Sequence, residues 1–516
     1  MILPLILLLL PLPQGAPEPL AGILTRAQQR FEAQDTAAAR EELAHALELY
    51  PESPAVYNFL GVLEAAGGNP AQAERRFREA IARAPDYTDA LLNLGRLYQE
   101  NGGPDAERAA RRALAAYQAI LAYAPDHAEA RFQSATLLHT LGEYDHSLDE
   151  LKRLGPDDQD RPAALAVRLA DHVGRGDREE ADAAADRLLA RPDLTEIDLR
   201  SPVPAMSGGG RDDLALRFLE TLRVRGWATP DDLRATGQLH EKEGHLALAR
   251  EALAQAALAR PDSVPFLLDL ARVAHAQRDD EGALGYLGHA RALEPENAAV
   301  HFFFGIVCVD MDLGGEAYKS LQEAVRLDPD NAAVNYAMGA VALHRKDPSE
   351  AIPYFQRYAE LKPDDPRGPY AIGIAAFRAK DYPTAREKLV PAAENPDTAA
   401  VANYLLARMA RAENEFDVAL GFAQRAVAAN PEYADPYSEL GLLYLRLGRL
   451  EEAERALERC LRLEPDHYLG NMQLALLYAR TKDPRHETQR ARFEEIKKRD
   501  VERGVDFLRP IEVRPY

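Results

Sequence analysis

The amino-acid sequence predicts an all-α protein in which antiparallel helix pairs stack into a solenoid. Three observations predict this architecture: a composition rich in alanine, leucine, glutamate and arginine, prolines that return every 34 residues, and small residues at fixed distances before those prolines. These common residue types lose little side-chain freedom in a helix. The 516 residues exceed the roughly 100–200 that one compact domain usually holds, so several domains or a repeat array are expected.

The prolines mark where each repeat ends. Proline lacks a backbone N–H and disfavours helix in the residue before it, so each one is expected to close a helix. Several lie in one kind of phrase, such as Ala84-Pro85-Asp86 and Glu464-Pro465-Asp466. The prolines in phase are Pro51, Pro85, Pro125, Pro261, Pro295, Pro329, Pro363, Pro431 and Pro465, and Pro125 lies 136 residues, or four periods, before Pro261. Chance would not hold that register over so many repeats.

Two columns of small residues predict where the two helices of a repeat cross, because helices approach closely only where side chains are small. Twelve residues before the prolines lie Ala39, Ala73, Ala113, Ala249, Ala283, Ala317, Ala351, Ala419 and Ala453. Twenty-four residues before them lie Gly61, Gly237, Ala271, Gly305, Gly339, Ala407 and Gly441. Each repeat is therefore expected to be a helix, a short turn, a second helix and a stop.

These residues resemble the tetratricopeptide repeat family. One unit reads Tyr437-x2-Leu440-Gly441-x2-Tyr444, Ala453-x3-Leu457 and Pro465, close to the family pattern W-x2-L-G-x2-Y, A-x3-F, P. The resemblance covers roughly residues 20–500 and implies a right-handed superhelical solenoid of about 14 units. An insertion at 101–105 lengthens the third unit, and residues 128–229 keep the length but lose most of the signature, so several units are degenerate.

The repeat register divides the chain into five predicted segments. Clear units start at Leu20, Pro54, Thr88, Pro230, Val264, Ala298, Ala332, Pro366, Ala400, Ala434 and Tyr468. The predicted segments are a leader at 1–19, N-terminal repeats at 20–127, degenerate repeats at 128–229 with a Pro/Gly-rich break near 201–210, a C-terminal array at 230–501 and a tail at 502–516. Proline and three glycines together are expected to interrupt the helices at that break, which could act as a hinge.

The apolar run Ile2 to Leu12 is too short to span a bilayer as a helix, which needs about 20 residues. It favours a secretory signal, although no Lys or Arg precedes it and Pro17 follows the small residues Gly15 and Ala16. We therefore expect an exported, periplasmic or extracellular protein resembling bacterial members of the family. The alternative is a retained leader or a misassigned start, with a cytoplasmic protein. No later segment is apolar enough to cross a membrane.

The formal net charge of -21 repels phosphate backbones, so nucleic acid is not an expected partner. A protein or peptide with an apolar or basic segment fits better. The two cysteines, Cys308 and Cys460, fall in columns where small residues pack and are expected to be buried.

No motif predicts catalysis, a metal or a cofactor. Gly208-Gly209-Gly210-Arg211 is followed by two aspartates, so it is not a phosphate-binding loop. His240 and His245 are five residues apart, unlike the HExxH spacing that places two ligands on one helix face. The Asp310-x-Asp312-x-Gly314 run lacks the later glutamate of a calcium loop. We expect a non-catalytic protein.

The family resemblance implies that positions 2, 5, 9 and 12 of each unit line the concave groove. In the units at Ala298, Ala332, Pro366 and Ala400 these positions hold the candidate partner-binding residues Phe302, Ile306, Val309, Tyr336, Leu343, Tyr370, Ile374, Phe377, Tyr404, Arg408 and Arg411, edged also by Arg367 and Arg378. Two interpretations remain open: an apolar groove for a helix or extended peptide, or a set buried against adjacent units. The expected function is a scaffold or adaptor in a bacterial envelope or secretion-related assembly; the alternatives are an accessory subunit of an enzyme complex and a structural spacer.

Overall fold

The computed structural model describes residues 18–101, 103, 105–345 and 347–503; the predicted leader up to residue 17 and the predicted tail from residue 504 lie outside them. Within the described residues the secondary structure is helical, with no β-strand. The chain divides into two compact units, residues 1–243 (unit 1) and residues 244–516 (unit 2). Each unit is a stack of helix pairs.

Unit 1 holds five regular pairs, α1/α2 to α7/α8 and α10/α11, and a less regular end in which α12 and α13 precede α14. Its helices are α1 Leu20–Glu32, α2 Thr36–Leu49, α3 Pro54–Ala66, α4 Pro70–Arg83, α5 Thr88–Glu100, α6 Ala106–Tyr123, α7 Ala128–Thr140, α8 Tyr144–Lys152, α9 Pro156–Gln159, α10 Pro162–Arg175, α11 Arg178–Leu189, α12 Glu196–Arg200, α13 Val203–Gly208, α14 Asp212–Val224 and α15 Pro230–Lys242.

Unit 2 opens with α16 and continues as seven regular pairs, from α17/α18 to α29/α30. Its helices are α16 Leu246–Ala259, α17 Val264–Ala276, α18 Asp280–Leu293, α19 Ala298–Asp310, α20 Gly314–Leu327, α21 Ala332–Leu343, α22 Ile352–Leu361, α23 Arg367–Arg378, α24 Tyr382–Ala392, α25 Ala399–Ala412, α26 Phe416–Ala429, α27 Ala434–Leu447, α28 Leu450–Leu463, α29 Tyr468–Thr481 and α30 His486–Arg503. A 3-10 turn at Pro348–Ala351 precedes α22.

The predicted all-α repeat architecture is confirmed. Nine of the eleven predicted unit starts coincide with the first residue of a helix, and the other two differ by one residue. The alanines of the first small-residue column are fully buried, as close helix packing requires. In the second column, a Cβ added at Gly339 would lie 2.7 Å from the Phe355 ring. Glycine there lets α21 lie directly on the following helix.

The segment 201–210 is more ordered than its composition suggests. Val203–Gly208 is a helix, with Pro204 in the first turn, where its missing N–H is not needed. Met206 is fully buried. The glycines interrupt the helices only at Gly209 and at Gly210, whose φ of 71° suits a residue without Cβ. The prediction that this whole run interrupts the helices was therefore too strong. The run lies inside unit 1, whereas the two units divide after Glu243.

Candidate functional site

The candidate site in unit 2 is built on one side-chain column, spaced 34 residues apart. Phe302 on α19, Tyr336 on α21, Tyr370 on α23 and Tyr404 on α25 all occupy position 5 of their repeats. The first helix α19 contacts α21, and α23 contacts α25. The repeat period therefore lines up four aromatic rings on successive first helices of one stack.

The structure separates the candidate residues by exposure. Six are buried: Tyr336, Leu343, Tyr370, Ile374, Phe377 and Tyr404. Four are half-buried: Phe302, Ile306, Arg408 and Arg411. Val309 is 39% exposed. A partner can therefore reach only the α19 part of the set and the two arginines without moving other side chains.

The accessible part is an apolar strip on α19, formed by Phe302, Ile306 and Val309. Their i, i+4, i+7 spacing places them on one face of the helix. Phe302 and Ile306 pack at their base against a small core that includes Leu321 and Met338. The inner side of the strip is therefore packed against this core, and its outer side is partly exposed to solvent.

The buried part is an aromatic core beside that strip. The Tyr336 ring lies 5.5 Å from the Phe355 ring and 4.8 Å from the Tyr358 ring, centroid to centroid. The Tyr404 ring contacts the Tyr433 ring at 5.6 Å, edge to face. Burial raises the pKa of the Tyr336 and Tyr404 hydroxyls, so both remain neutral near pH 7.

Arginines cover this aromatic core. The Arg408 guanidinium carbon lies 5.2 Å from the Phe377 ring centroid and 5.6 Å from that of Tyr404. Among the described residues Arg408 has no carboxylate within ion-pair distance. Arg411, by contrast, forms an ion pair with Glu439. Arg408 therefore offers an unneutralised charge beside apolar rings, an arrangement suited to cation–π contact.

Arg367 has a carboxylate partner. It donates two hydrogen bonds from Nε and one from Nη2 to Asp365, the shortest at 2.6 Å. Tyr358 donates to the same carboxylate at 2.6 Å. These bonds, chiefly those from Arg367, hold the pKa of Asp365 well below its usual range. Arg378, the other predicted edge residue, is half-buried at the end of α23.

Family models match most of both units. Tetratricopeptide repeat models match residues 24–73, 63–110, 234–303, 315–366 and 370–434, and two further models of the same repeat match 106–169 and 434–467. The chain belongs to the tetratricopeptide repeat family. The matches include 106–169, so the repeat signal of this tetratricopeptide protein continues into part of the stretch where the sequence pattern fades.

Two curated proteins are similar to parts of this tetratricopeptide chain. Cellulose synthase operon protein C of Xanthomonas axonopodis pv. citri (strain 306) is 38% identical over 104 residues, 19% of this chain and 7% of that protein. The probable biofilm formation methyltransferase WspC of Pseudomonas putida is 36% identical over 89 residues, 17% of this chain and 20% of that protein. The chain thus spans a fifth or less of either relative.

Solved structures match over longer spans with low identity. The Cut9–Hcn1 structure is 14% identical, with 89% of this chain and 96% of that chain covered and a TM-score of 0.37. Yeast Tom70 is 17% identical, with 93% and 91% covered and a TM-score of 0.35.

Unit 1 of this tetratricopeptide protein contains a polar cluster that the sequence patterns did not reveal. Asp171 on α10 is fully buried and accepts a hydrogen bond from the Ser147 hydroxyl at 2.6 Å. Its other oxygen lies 2.8 Å from Nδ1 of His139. Ser147 and His139 both bond to the carboxylate, and Ser147 is fully buried, so the trio lacks the arrangement of an exposed nucleophile beside its base. The only available signal was the fading of the signature in this stretch.

Cys308 and Cys460 are buried free thiols, as predicted, and burial raises the pKa of both. His240 lies in the last turn of α15, and His245 is the residue before α16. Within the described helices of this tetratricopeptide protein, none is long and apolar enough to cross a membrane.

Proposed function

We propose that this tetratricopeptide repeat protein is a non-catalytic adaptor that holds a protein or peptide along the first helices of unit 2. The observation that carries the proposal is the aromatic column Phe302, Tyr336, Tyr370 and Tyr404, which continues on α19 into the apolar strip. Partly exposed apolar residues beside polar ones are a common feature of binding surfaces. The strip is the first contact for the partner, and the buried aromatics hold the helices beneath it.

The partner presents an apolar segment, helical or extended, to Phe302, Ile306 and Val309. A segment with basic flanks suits the net charge of -21, because long-range attraction speeds the encounter. At the other end of the column, Arg408 selects for an aromatic or acidic group next to the apolar part. Because Phe302 and Val309 lie about two turns apart on α19, one partner helix of two to three turns would cover the strip.

The proposed setting is a bacterial envelope or secretion-related assembly, reached by export. The apolar run Ile2 to Leu12 supports export. The partial similarity to a cellulose synthase operon protein and to a probable biofilm formation methyltransferase supports a bacterial context. Fractionation of the native host, followed by N-terminal sequencing of the recovered chain, tests this part of the proposal.

The groove is tested by Val309→Glu. Val309 is 39% exposed, so glutamate there leaves the fold intact while placing a charge in the apolar strip. Val418→Glu, at a residue 48% exposed on the second helix α26, is the matched control. We expect crosslinked partners of the native protein to be lost with Val309→Glu and retained with Val418→Glu. Equal recovery with both variants would contradict the groove.

A structural spacer or an accessory subunit of an enzyme complex is the second candidate. The burial of six of the eleven candidate residues favours it, because those residues stabilise the stack rather than face a ligand. Val309→Glu separates an adaptor from a spacer: an adaptor loses partner affinity while its unfolding curve stays unchanged, whereas a spacer shows no binding defect. Tyr370→Ser and Phe377→Ser, at buried residues, should lower stability in either case.

A further inference from the structure

Two adjacent second helices of unit 1, α4 and α6, are cationic in a chain whose formal net charge is -21. Helix α4 has four arginines and two glutamates, and α6 has three arginines and one glutamate. The second helices before and after them have the opposite balance: α2 has three glutamates and one arginine, and α8 has three acidic residues and one lysine. Unit 1 therefore carries two cationic second helices between two anionic ones.

Four arginines of α4 and α6 share one carboxylate. Arg78 lies 2.9 Å from the Glu74 carboxylate, and Arg112 reaches across from α6 to donate a hydrogen bond to the same group. Arg75 precedes Arg78 by three residues and Arg108 precedes Arg112 by four, so each lies on the same helix face as its neighbour. Among the described residues, neither Arg75 nor Arg108 has a carboxylate within ion-pair distance. We call these four arginines the basic patch.

The basic patch is open to solvent. The side chains of Arg78 and Arg112 are 62% and 40% exposed, and the other two arginines are also exposed. The shallow hollow beside Arg78 is lined in part by the exposed residues Ala71 and Ala82. A second hollow, beside Arg112, includes the exposed Ala115. These small side chains leave room for another chain to reach the guanidinium groups.

The folding of the helices does not account for the basic patch. Like charges three or four residues apart repel, so the pairs Arg75–Arg78 and Arg108–Arg112 weaken their helices. Arg108 also stands in the first turn of α6, where the helix dipole favours an anion. Arg112 does contribute to packing, because its guanidinium carbon lies 4.0 Å from the Tyr98 ring centroid. An anionic group bound at the patch would relieve the repulsion among its arginines.

We propose that the basic patch binds an acidic segment of another protein. Guanidinium groups bind the carboxylates of such a segment through paired, charge-assisted hydrogen bonds. The net charge of the chain opposes this binding, but at physiological ionic strength charges more than about 8 Å away are largely screened. The four local arginines and their single carboxylate therefore decide the interaction. The patch is a second binding surface, independent of the apolar strip on α19.

The neighbouring helices favour a narrow acidic segment over a broad anionic surface. Glu48 on α2 and Asp149 on α8 are exposed. A membrane of anionic lipid or a long nucleic acid would extend past the arginines and meet these carboxylates, which repel it. A single acidic peptide segment lies along the arginines alone.

Fluorescence anisotropy of a labelled oligoglutamate peptide, titrated with the full chain, tests the proposal. Arg75→Glu combined with Arg108→Glu should weaken binding about tenfold or more, because like charges then face the peptide. Arg30→Glu combined with Arg446→Glu is the matched control: it makes the same change in net charge at exposed arginines that have no ion pair among the described residues. The control should stay within about twofold of the wild type, since distant charges are screened.

Equal weakening by both double variants would assign the binding to net charge and overturn the proposal, as would a wild type that does not bind the peptide. Circular dichroism checks that the helices persist. If charge reversal disturbs them, Arg75→Gln combined with Arg108→Gln removes the same two charges and should still weaken binding. Unchanged binding by a folded glutamine variant overturns the proposal.

Photo-crosslinking locates the bound peptide. Ala82→Cys on α4 and Ala44→Cys on α2 place a photoreactive label at two exposed positions, and the native Cys308 and Cys460 are buried. We expect capture of the peptide by the label on α4 and not by the label on α2; equal capture overturns the proposal. Phosphatidylglycerol vesicles and a DNA oligonucleotide are titrated in parallel. Tighter binding of either than of the peptide, lost in the Arg75→Glu, Arg108→Glu variant, would assign the patch to a membrane or a nucleic acid instead.

Discussion

The Ser147 hydroxyl donates a 2.6 Å hydrogen bond to Asp171, a carboxylate with no solvent exposure. The bond joins α8 to α10, and His139 joins α7 to the same carboxylate at 2.8 Å. Three helices of unit 1 are thus tied together by one buried acid, in the stretch where the repeat signature is weakest. A buried carboxylate is tolerated because its hydrogen bonds replace those to water.

Asp171→Ala should destabilise the protein by about 2–3 kcal/mol, because it leaves His139 without its partner and opens a small cavity. Asp149→Ala, at a mostly exposed position on α8, is the control and should change stability by less than about 0.5 kcal/mol. Urea unfolding followed by helical circular dichroism measures both. Equal urea midpoints for wild type and Asp171→Ala would mean that the cluster contributes nothing to stability.

Gly339→Ala should cost about 1–3 kcal/mol, because the added methyl group would lie 2.7 Å from the Phe355 ring. Gly421 on α26 has no atom within 4 Å of an added Cβ. Gly421→Ala should therefore be neutral or stabilising by up to about 1 kcal/mol, since alanine is the better helix former. The melting temperature should fall for Gly339→Ala and stay unchanged or rise for Gly421→Ala. Equal falls for both variants would contradict the close crossing of α21 with the following helix.

Asp365→Asn should lower stability at pH 7 by about 1 kcal/mol, with an effect that disappears in acid. The bonds from Arg367 depress the pKa of Asp365 in the folded protein. Stability from this carboxylate is therefore complete above the pKa of an unfolded aspartate, about 3.9. It is lost as the pH falls through the lower native pKa.

The free energies of unfolding of wild type and Asp365→Asn are measured between pH 7 and pH 2. The gap between the two values should narrow as the pH falls. Asp364→Asn, at the exposed neighbouring residue, is the control and should show no gap at any pH. A gap for Asp365→Asn that stays constant into strong acid would mean that the carboxylate charge is not responsible.

The two thiols should be unreactive in the folded protein. Cys308 is 1% and Cys460 0% exposed, and the thiolate that reacts is disfavoured by burial. A thiol reagent should titrate neither within minutes in buffer and both in denaturant. Leu258→Cys should add one fast-reacting group, which checks the reagent; rapid labelling of the wild type would contradict the burial.

The fold was predictable from the sequence because a few fixed positions in each repeat determine where its helices end and where they cross. The prolines end helices by a local mechanism, and the alanine column needs only that two helices touch. Both effects act within 34 residues, so no long-range information is required. The helix at Val203–Gly208 was not predicted, because proline is usually a residue that ends helices. In the first turn of a helix proline is instead favoured, since its missing N–H is not needed there.

The candidate site was predictable only as a set of positions. Periodicity identifies which residues lie on the first helices, but exposure depends on how closely neighbouring helices approach. Ile306 and Ile374 occupy the same position in two repeats, yet the first is half-buried and the second is 5% exposed. The binding role of the set stays a prediction. The Asp171 cluster was invisible because its members come from three helices with no shared spacing.

Among the described helices, most contacts join a helix to the next one or two along the chain, although α10 also contacts α7 and α13. The stability of such an array is approximately a sum of terms for each repeat and for each interface between neighbouring repeats. The cooperativity of its unfolding is therefore limited by the weakest of those interfaces. Heating should therefore melt the protein in blocks, and a lesion near one end should leave distant blocks folded. An evolving chain of this design can gain or lose a whole pair and keep the remaining stack in register.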